Sequence, residues 1–318
     1  VTVRRLVRYF GILASVAALA WIAFRFAQSG AFNLLANAPA DPVALACAVA
    51  LCAGGYAIAM CLLAVAWWQL VSALSPHPPP ARETMATYAV SQYGKYLPGN
   101  VAHYALRHAW SRRVGIPHAA LGLAAMLEAA LLLLAALAAA SLGDTERLRV
   151  VSAFDPRIAI TLLVAMLVGL SVALRFARRM HVFERFRMPP PPRARVLVAC
   201  AVIYFVFMVA SAALLAVLAR ALGIGFDSFA MLLAANAASW AAGFIVIGAP
   251  GGLGVREVAF VALAGGALGE SGALLLIGIF RIVTFLGDTL FFAAGSFALR
   301  RAKIARENAS ISDRRSPS

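Results

Sequence analysis

The chain has 318 residues, 63% of them hydrophobic and 13% charged, with 28 Lys and Arg against 13 Asp and Glu and a formal net charge of +15. A soluble globular chain is about half apolar and a quarter charged. A soluble body is therefore excluded, and a mean hydropathy of +0.87 indicates a polytopic membrane protein. The basic residues cluster at the ends of apolar runs, where orientation signals belong, so nucleic acid is not the expected partner of this charge.

The apolar runs are long, rich in Ala and Leu, and do not alternate as barrel strands would. The expected fold is an all-α polytopic membrane protein with about six transmembrane helices, two broken re-entrant helical hairpins and an inverted repeat. In chain order the spans fall at 7–27, 43–73, 119–142, 158–174, 196–218 and 272–299. Two more polar or interrupted stretches, 82–115 and 229–268, stand between them. The first span lacks a convincing small-residue cleavage site and reads as a signal anchor. From residue 300 the tail is basic, then Ser-rich, and is expected to be disordered. Cys47, Cys52, Cys61 and Cys200 lie inside apolar runs without a CxxC pair, which suits small buried hydrophobes better than disulfides or zinc.

Lys and Arg in the loops set the expected orientation. Arg4, Arg5 and Arg8 place the N-terminus in the cytoplasm, and Arg300, Arg301, Lys303 and Arg306 place the C-terminus there. The 28–42 loop has no Lys or Arg and is assigned to the outside. The 175–195 loop carries five Arg among 178–193, with Pro189 to Pro192 as a stiff linker, and is assigned to the inside.

An offset of about 152 residues carries Pro98 onto Pro250, the starts of spans one and two near those of spans four and five, and Glu128 to one residue short of Arg281. The expected organisation is a first repeat, 1–157, of three spans plus the re-entrant segment 82–115. A second repeat, 158–299, has three spans plus the segment 229–268, and 300–318 is the tail. An odd number of spans per copy inverts the second copy in the membrane, the arrangement of many transporters.

Both interrupted segments carry Pro-Gly: Leu97-Pro98-Gly99-Asn100 and Ala249-Pro250-Gly251-Gly252. Broken backbone at membrane depth is tolerated only under protein cover or beside a wet cavity. Asn100 is placed to cap a helix carrying His103, Arg107 and Arg112. The free N–H groups and positive dipole of that helix, with Lys95 and Arg107, suit an anionic headgroup such as a phosphate. The same helix also reads as an interfacial amphipathic segment. In the second segment Gly251 and Gly252 permit close backbone approach, followed by Arg256 and Glu257. Arg256 reads either as a headgroup ligand or as a snorkelling side chain, and Glu257 either as a functional carboxylate or as a helix-dipole partner.

Lone charges inside apolar runs complete the candidate set: Glu128, Arg281 and Asp288. Intramembrane ionisable groups are functional candidates by default, because burial costs roughly 2.5–3.5 kcal/mol or more each. Glu128 and Arg281 occupy matching repeat positions, and a pair between them across the pseudo-two-fold axis is one expectation. The substrate-binding candidates are therefore Lys95, Asn100, Arg107, Gly251, Gly252 and Arg256, with Glu128, Glu257, Arg281 and Asp288 for charge balance and gating. Asn236 and Trp240 either line a cavity or pack. No catalytic constellation, metal-ligand spacing, P-loop or dinucleotide fingerprint is present, so no metal, cofactor or enzyme activity is expected.

The Tyr93-to-Asn100 and Pro250-to-Glu257 segments, with Glu128 and Arg281, resemble the flippase-like membrane region of lysylphosphatidylglycerol synthases over nearly the whole chain. The resemblance implies a bacterial inner-membrane protein that moves an amphipathic lipid between leaflets. The sequence given ends soon after span six without the soluble aminoacyl-transferring domain, so lysyl-lipid synthesis is not expected of it. The leading expectation is a transporter for an anionic phospholipid or a polyprenyl-phosphate-linked lipid. The alternative is a membrane enzyme, or an accessory subunit, acting on a lipid carrier for a glycosyltransferase. The implied partners are a lipid with an anionic headgroup and, in the alternative, a membrane glycosyltransferase or lipid-modifying enzyme.

Overall fold

The computed structural model describes residues 30–36, 41–96, 102–113, 115–143, 189–246 and 249–315, with isolated positions between 20 and 28. The expected spans at 7–27 and 158–174 lie outside these residues, as do Pro98, Gly99 and Asn100. Every regular element among the described residues is helical. We number them α1 (Ala31–Ala36), α2 (Pro42–Leu74), α3 (Ala81–Gln92), α4 (Ala102–Arg113), α5 (His118–Ala140), α6 (Ala194–Ala221), α7 (Phe229–Ile245), α8 (Val255–Leu268) and α9 (Glu270–Arg315). Two short 3-10 turns, Tyr93–Tyr96 and Pro250–Gly252, follow α3 and precede α8.

Local chemistry sets several ends. Asp41 caps α2 by accepting from the Ala44 N–H at 2.8 Å, and Pro42 takes a first-turn position whose N–H would be unpaired anyway. At 33 residues α2 is about 50 Å long, more than the ~30 Å hydrocarbon thickness. Its polar C-terminal neighbour, Ser75 to Pro80, turns the chain into α3. The helices α2, α5, α6 and α9 correspond to the expected spans at 43–73, 119–142, 196–218 and 272–299. By length and composition 250–268, the second leg of the later interrupted segment, is also long and apolar enough to cross. The chain is a multi-pass membrane protein.

Two features depart from expectation. A short helix, α1, packs on α9 within the loop assigned to 28–42. The helix α9 also runs to Arg315, where a disordered tail was expected from 300. Ala302, Lys303, Ala305, Arg306 and Glu307 are strong helix formers, so their local preference extends a helix already nucleated in the core.

Helices in lipid gain little from hydrophobic burial against one another and rely on close packing of small residues. On α9 a Cβ at Gly287 would lie 2.9 Å from the Ala53 carbonyl oxygen and 2.8 Å from the Tyr56 ring. One at Gly295 would lie 2.6 Å from the Ala89 methyl. These two positions are eight apart, on one face, and seat α2 and α3 on α9.

The packing is symmetric in the order of elements. The helix α2 lies on α6; α3 packs on α9, and α7 packs on α5. The first leg of each interrupted segment thus leans on the span that follows the other interrupted segment. Exchanging the halves exchanges these contacts.

Candidate functional site

Both interrupted segments fold back, α3 against α4 and α7 against α8, and their turns meet. Gly251 has a φ of +58°, and a Cβ there would lie 3.3 Å from the Tyr96 ring. Only a residue without a side chain satisfies both constraints readily. The Gly251 carbonyl accepts from Arg281 Nη2 at 2.8 Å, which ties the second break to α9. The first turn is tied to α9 as well: Tyr93 Oη and Thr289 Oγ1 share a hydrogen bond at 2.9 Å, and Tyr96 Oη donates to Asp288 Oδ2.

Beside this junction lies a cavity of about 90 Å³. A water requires roughly 10–15 Å³ of such space and several polar partners, so the cavity has room for several. Its polar wall includes Gln92, Lys95, His103, Tyr104, Glu128 and Arg256, and Met60, Leu63 and Phe207 supply an apolar side. The site combines a few convergent polar groups with an apolar surround, the usual make-up of a ligand site.

Among the described residues, three ion pairs surround the cavity. Lys95 Nζ lies 2.7 Å from Asp288 Oδ2. Arg107 Nη1 donates to Glu128 Oε2. Arg281 Nε pairs with Glu257 Oε1. The expected pair between Glu128 and Arg281 is not formed. Each instead takes a partner on the second leg of its own half's interrupted segment, Glu128 from α4 and Arg281 from α8. The reason is reach: the legs α4 and α8 stand nearer to α5 and α9 than those spans stand to each other's charges.

Arg107, expected to contact a ligand, is 1% exposed and stands behind the cavity. Its guanidinium lies 4.4 Å from the Trp67 ring centroid and 4.0 Å from that of Tyr88, and Nε donates to Ser91 Oγ at 3.3 Å. Aromatic faces, one carboxylate and one hydroxyl hold it, an arrangement that favours Arg over Lys, while its buried Nη2 has no hydrogen-bond partner among the described residues. It lines a separate recess of about 290 Å³ together with Trp67, Tyr104 and His108.

The N-terminus of α8 is met by the chain's own carboxylate. Glu257 Oε2 accepts from the Gly254 N–H at 2.6 Å, so Glu257 serves both the helix end and Arg281. Asn100 lies outside the described residues. Trp240 lines the cavity, stacked on Phe244 with ring centroids 5.1 Å apart. Asn236 does not line it and instead donates to Ser211 Oγ at 3.0 Å.

Arg256 differs from the other three cations. It lines the cavity and, among the described residues, forms no ion pair with a carboxylate. Its stem runs between two glycines. A Cβ at Gly243 would lie 2.2 Å from Arg256 Cγ, and one at Gly252 would lie 2.8 Å from Cδ. Gly252 therefore acts by cradling Arg256.

Sequence reasoning placed His103 on the helix after Asn100 and Tyr96 within the first motif but made neither a site residue, and it gave no site role to Tyr104 or the Trp67–Tyr88 pair. His103 is 8% exposed, and its Nδ1 has no hydrogen-bond partner among the described residues. It lies outside the spanning helices. Burial first, then Arg107 and Lys95, push its imidazole pKa well down, so it is held neutral. The signal for these residues was the polarity of 82–115: a stretch held against spanning helices must turn its polar atoms inward.

A family model described as the lysylphosphatidylglycerol synthase TM region matches residues 9–291. The chain belongs to that family. No match was found among curated proteins.

Proposed function

Starting from membership of the lysylphosphatidylglycerol synthase transmembrane family, which makes the chain a membrane protein linked to lipid metabolism or transport, we propose that it is a flippase-like lipid transporter. It moves an anionic phospholipid or a polyprenyl-phosphate-linked lipid between leaflets of the bacterial inner membrane, with both termini cytoplasmic. The two halves, 1–157 and 158–299, act as an inverted repeat, consistent with the exchange symmetry of their helix contacts.

One observation carries this reading: a polar cavity at the contact of two interrupted segments, with an arginine on its wall that forms no ion pair among the described residues. A headgroup sits in this chamber while the hydrocarbon chains stay in lipid. Ligand pockets are usually ~300–1,000 Å³, so a chamber of about 90 Å³ has to widen to take a headgroup. It opens by parting the Tyr96–Gly251 contact. The pairs Lys95–Asp288 and Arg281–Glu257 hold the two turns to α9 and are the natural gate, whereas Arg107–Glu128 locks α4 to α5.

Reconstitution of the pure protein with fluorescent phosphatidylglycerol tests the reading. Faster leaflet exchange without covalent change supports transport. Formation of a chemically altered lipid supports the membrane-enzyme alternative. Activity only after addition of a lipid-modifying partner supports an accessory role.

A further inference from the structure

The charges around the chamber do not cancel. Four cations, Lys95, Arg107, Arg256 and Arg281, stand against three carboxylates, Glu128, Glu257 and Asp288, and each carboxylate is matched one-to-one. Positions 97–101 and 247–248, which flank the two turns outside the described residues, contain no ionisable side chain. Among the described residues the surplus is a single positive charge, and it belongs to Arg256.

An unmatched charge among helices at membrane depth is costly unless something neutralises it. Arg256 cannot readily withdraw, because Gly243 and Gly252 enclose its stem. It points into a cavity whose wall also presents the neutral imidazole of His103, with its unpartnered buried Nδ1. The cavity therefore lacks one negative charge and offers hydrogen-bonding groups to orient it.

We propose that the chamber selects lipids whose headgroup presents a single negative charge, that is, a phosphodiester rather than a phosphomonoester, and that Arg256, held by Gly243 and Gly252, is the selecting residue. This deepens the reading of the chamber as a headgroup site and rests on it. A phosphodiester brings the charges around the chamber to zero. A dianionic phosphomonoester leaves one negative charge uncompensated beside Glu128 and Asp288.

The test compares two lipids that differ in charge at the same phosphorus. Short-chain phosphatidylmethanol and phosphatidic acid with identical chains are titrated at mildly alkaline pH into the detergent-solubilised protein, and binding is followed by calorimetry. Phosphatidylmethanol should bind at least about tenfold more tightly, the ratio that a 1.4 kcal/mol difference produces. Arg256→Gln should remove the preference with the fold intact by circular dichroism. Gly243→Ala, which leaves every charge in place, should weaken phosphatidylmethanol binding. Equal or tighter binding of phosphatidic acid overturns the inference. So does equally tight binding of dimethyl phosphate, which would make the site one for a free anion. Leaflet exchange separates the two claims: charge preference without exchange supports the inference and removes the transport reading, and exchange without charge preference does the reverse.

Discussion

Arg281 on α9 donates to the Gly251 carbonyl at 2.8 Å, so a side chain of one spanning helix holds the backbone break of the neighbouring segment. The same guanidinium pairs with Glu257, which in turn caps the Gly254 N–H. One arginine thereby organises the whole turn from Gly251 to Glu257. Arg281→Ala should abolish leaflet exchange while membrane insertion and expression persist. Arg281→Lys should restore little, because a lysine point charge does not reproduce the two-partner geometry of a guanidinium. Full exchange by Arg281→Lys would show that charge alone suffices.

The Arg107–Glu128 contact repeats that architecture with the signs exchanged. In the first half the cation lies on the second leg and the carboxylate on the span, and in the second half the order is reversed. Glu128→Gln leaves Arg107 buried without its counter-charge and should destabilise the protein by about 3–5 kcal/mol. The double variant Arg107→Met with Glu128→Leu should unfold at a higher temperature than either single variant. Thermal unfolding in detergent checks both, and a double variant as unstable as Glu128→Gln would assign Arg107 a role beyond this pair.

His108 and His118 stack between α4 and the start of α5, with ring centroids 4.8 Å apart. Burial, then His118 and Arg112, lower the pKa of His108 below the usual imidazole value. The unfolded chain therefore binds more protons at this site than the folded one. Stability from it is complete above the unfolded value of about 6.5 and is lost as pH falls below it. Unfolding temperatures of wild type and His108→Gln should converge or cross as pH drops from 7 to 5 in roughly this window. A pH-independent difference would contradict the assignment.

The proposed inverted repeat makes a topological prediction. Cysteines introduced as Asn100→Cys and Leu253→Cys, in a background with the four native cysteines replaced, should react with water-soluble thiol reagents from opposite sides of the membrane. Reaction of both from one side would show that the halves are parallel.

Much of this molecule could be read in its sequence. The starts of α2, α5, α6 and α9 follow apolar run length, and both interruptions follow Pro-Gly. The lone charges Glu128, Arg281 and Asp288 stood out because burying a charge is costly, and each is ion-paired in the structure. Their partners were not legible. Matching positions suggested Glu128 with Arg281, but which cation reaches which carboxylate depends on how far each leg leans toward a span, and that distance leaves no trace in spacing. Arg107 read as ligand-binding because a sequence shows its charge and not the Trp67 and Tyr88 rings that enclose it. Gly243 drew no notice because its role, room for the Arg256 stem, exists only once α7 and α8 lie side by side. The extension of α9 past 299 was hidden by composition: a basic, Ser-rich tail resembles disorder, yet its first residues favour helix.

The most direct test of the account is the rate of leaflet exchange of labelled phosphatidylglycerol in vesicles containing wild type or Arg256→Gln, with equal amounts of folded protein verified by thermal unfolding. Wild type should exceed protein-free vesicles, and Arg256→Gln should fall by about tenfold or more, the effect of losing one charge-assisted headgroup contact. An Arg256→Gln protein that exchanges lipid as fast as wild type would contradict the assignment of the chamber as the headgroup path.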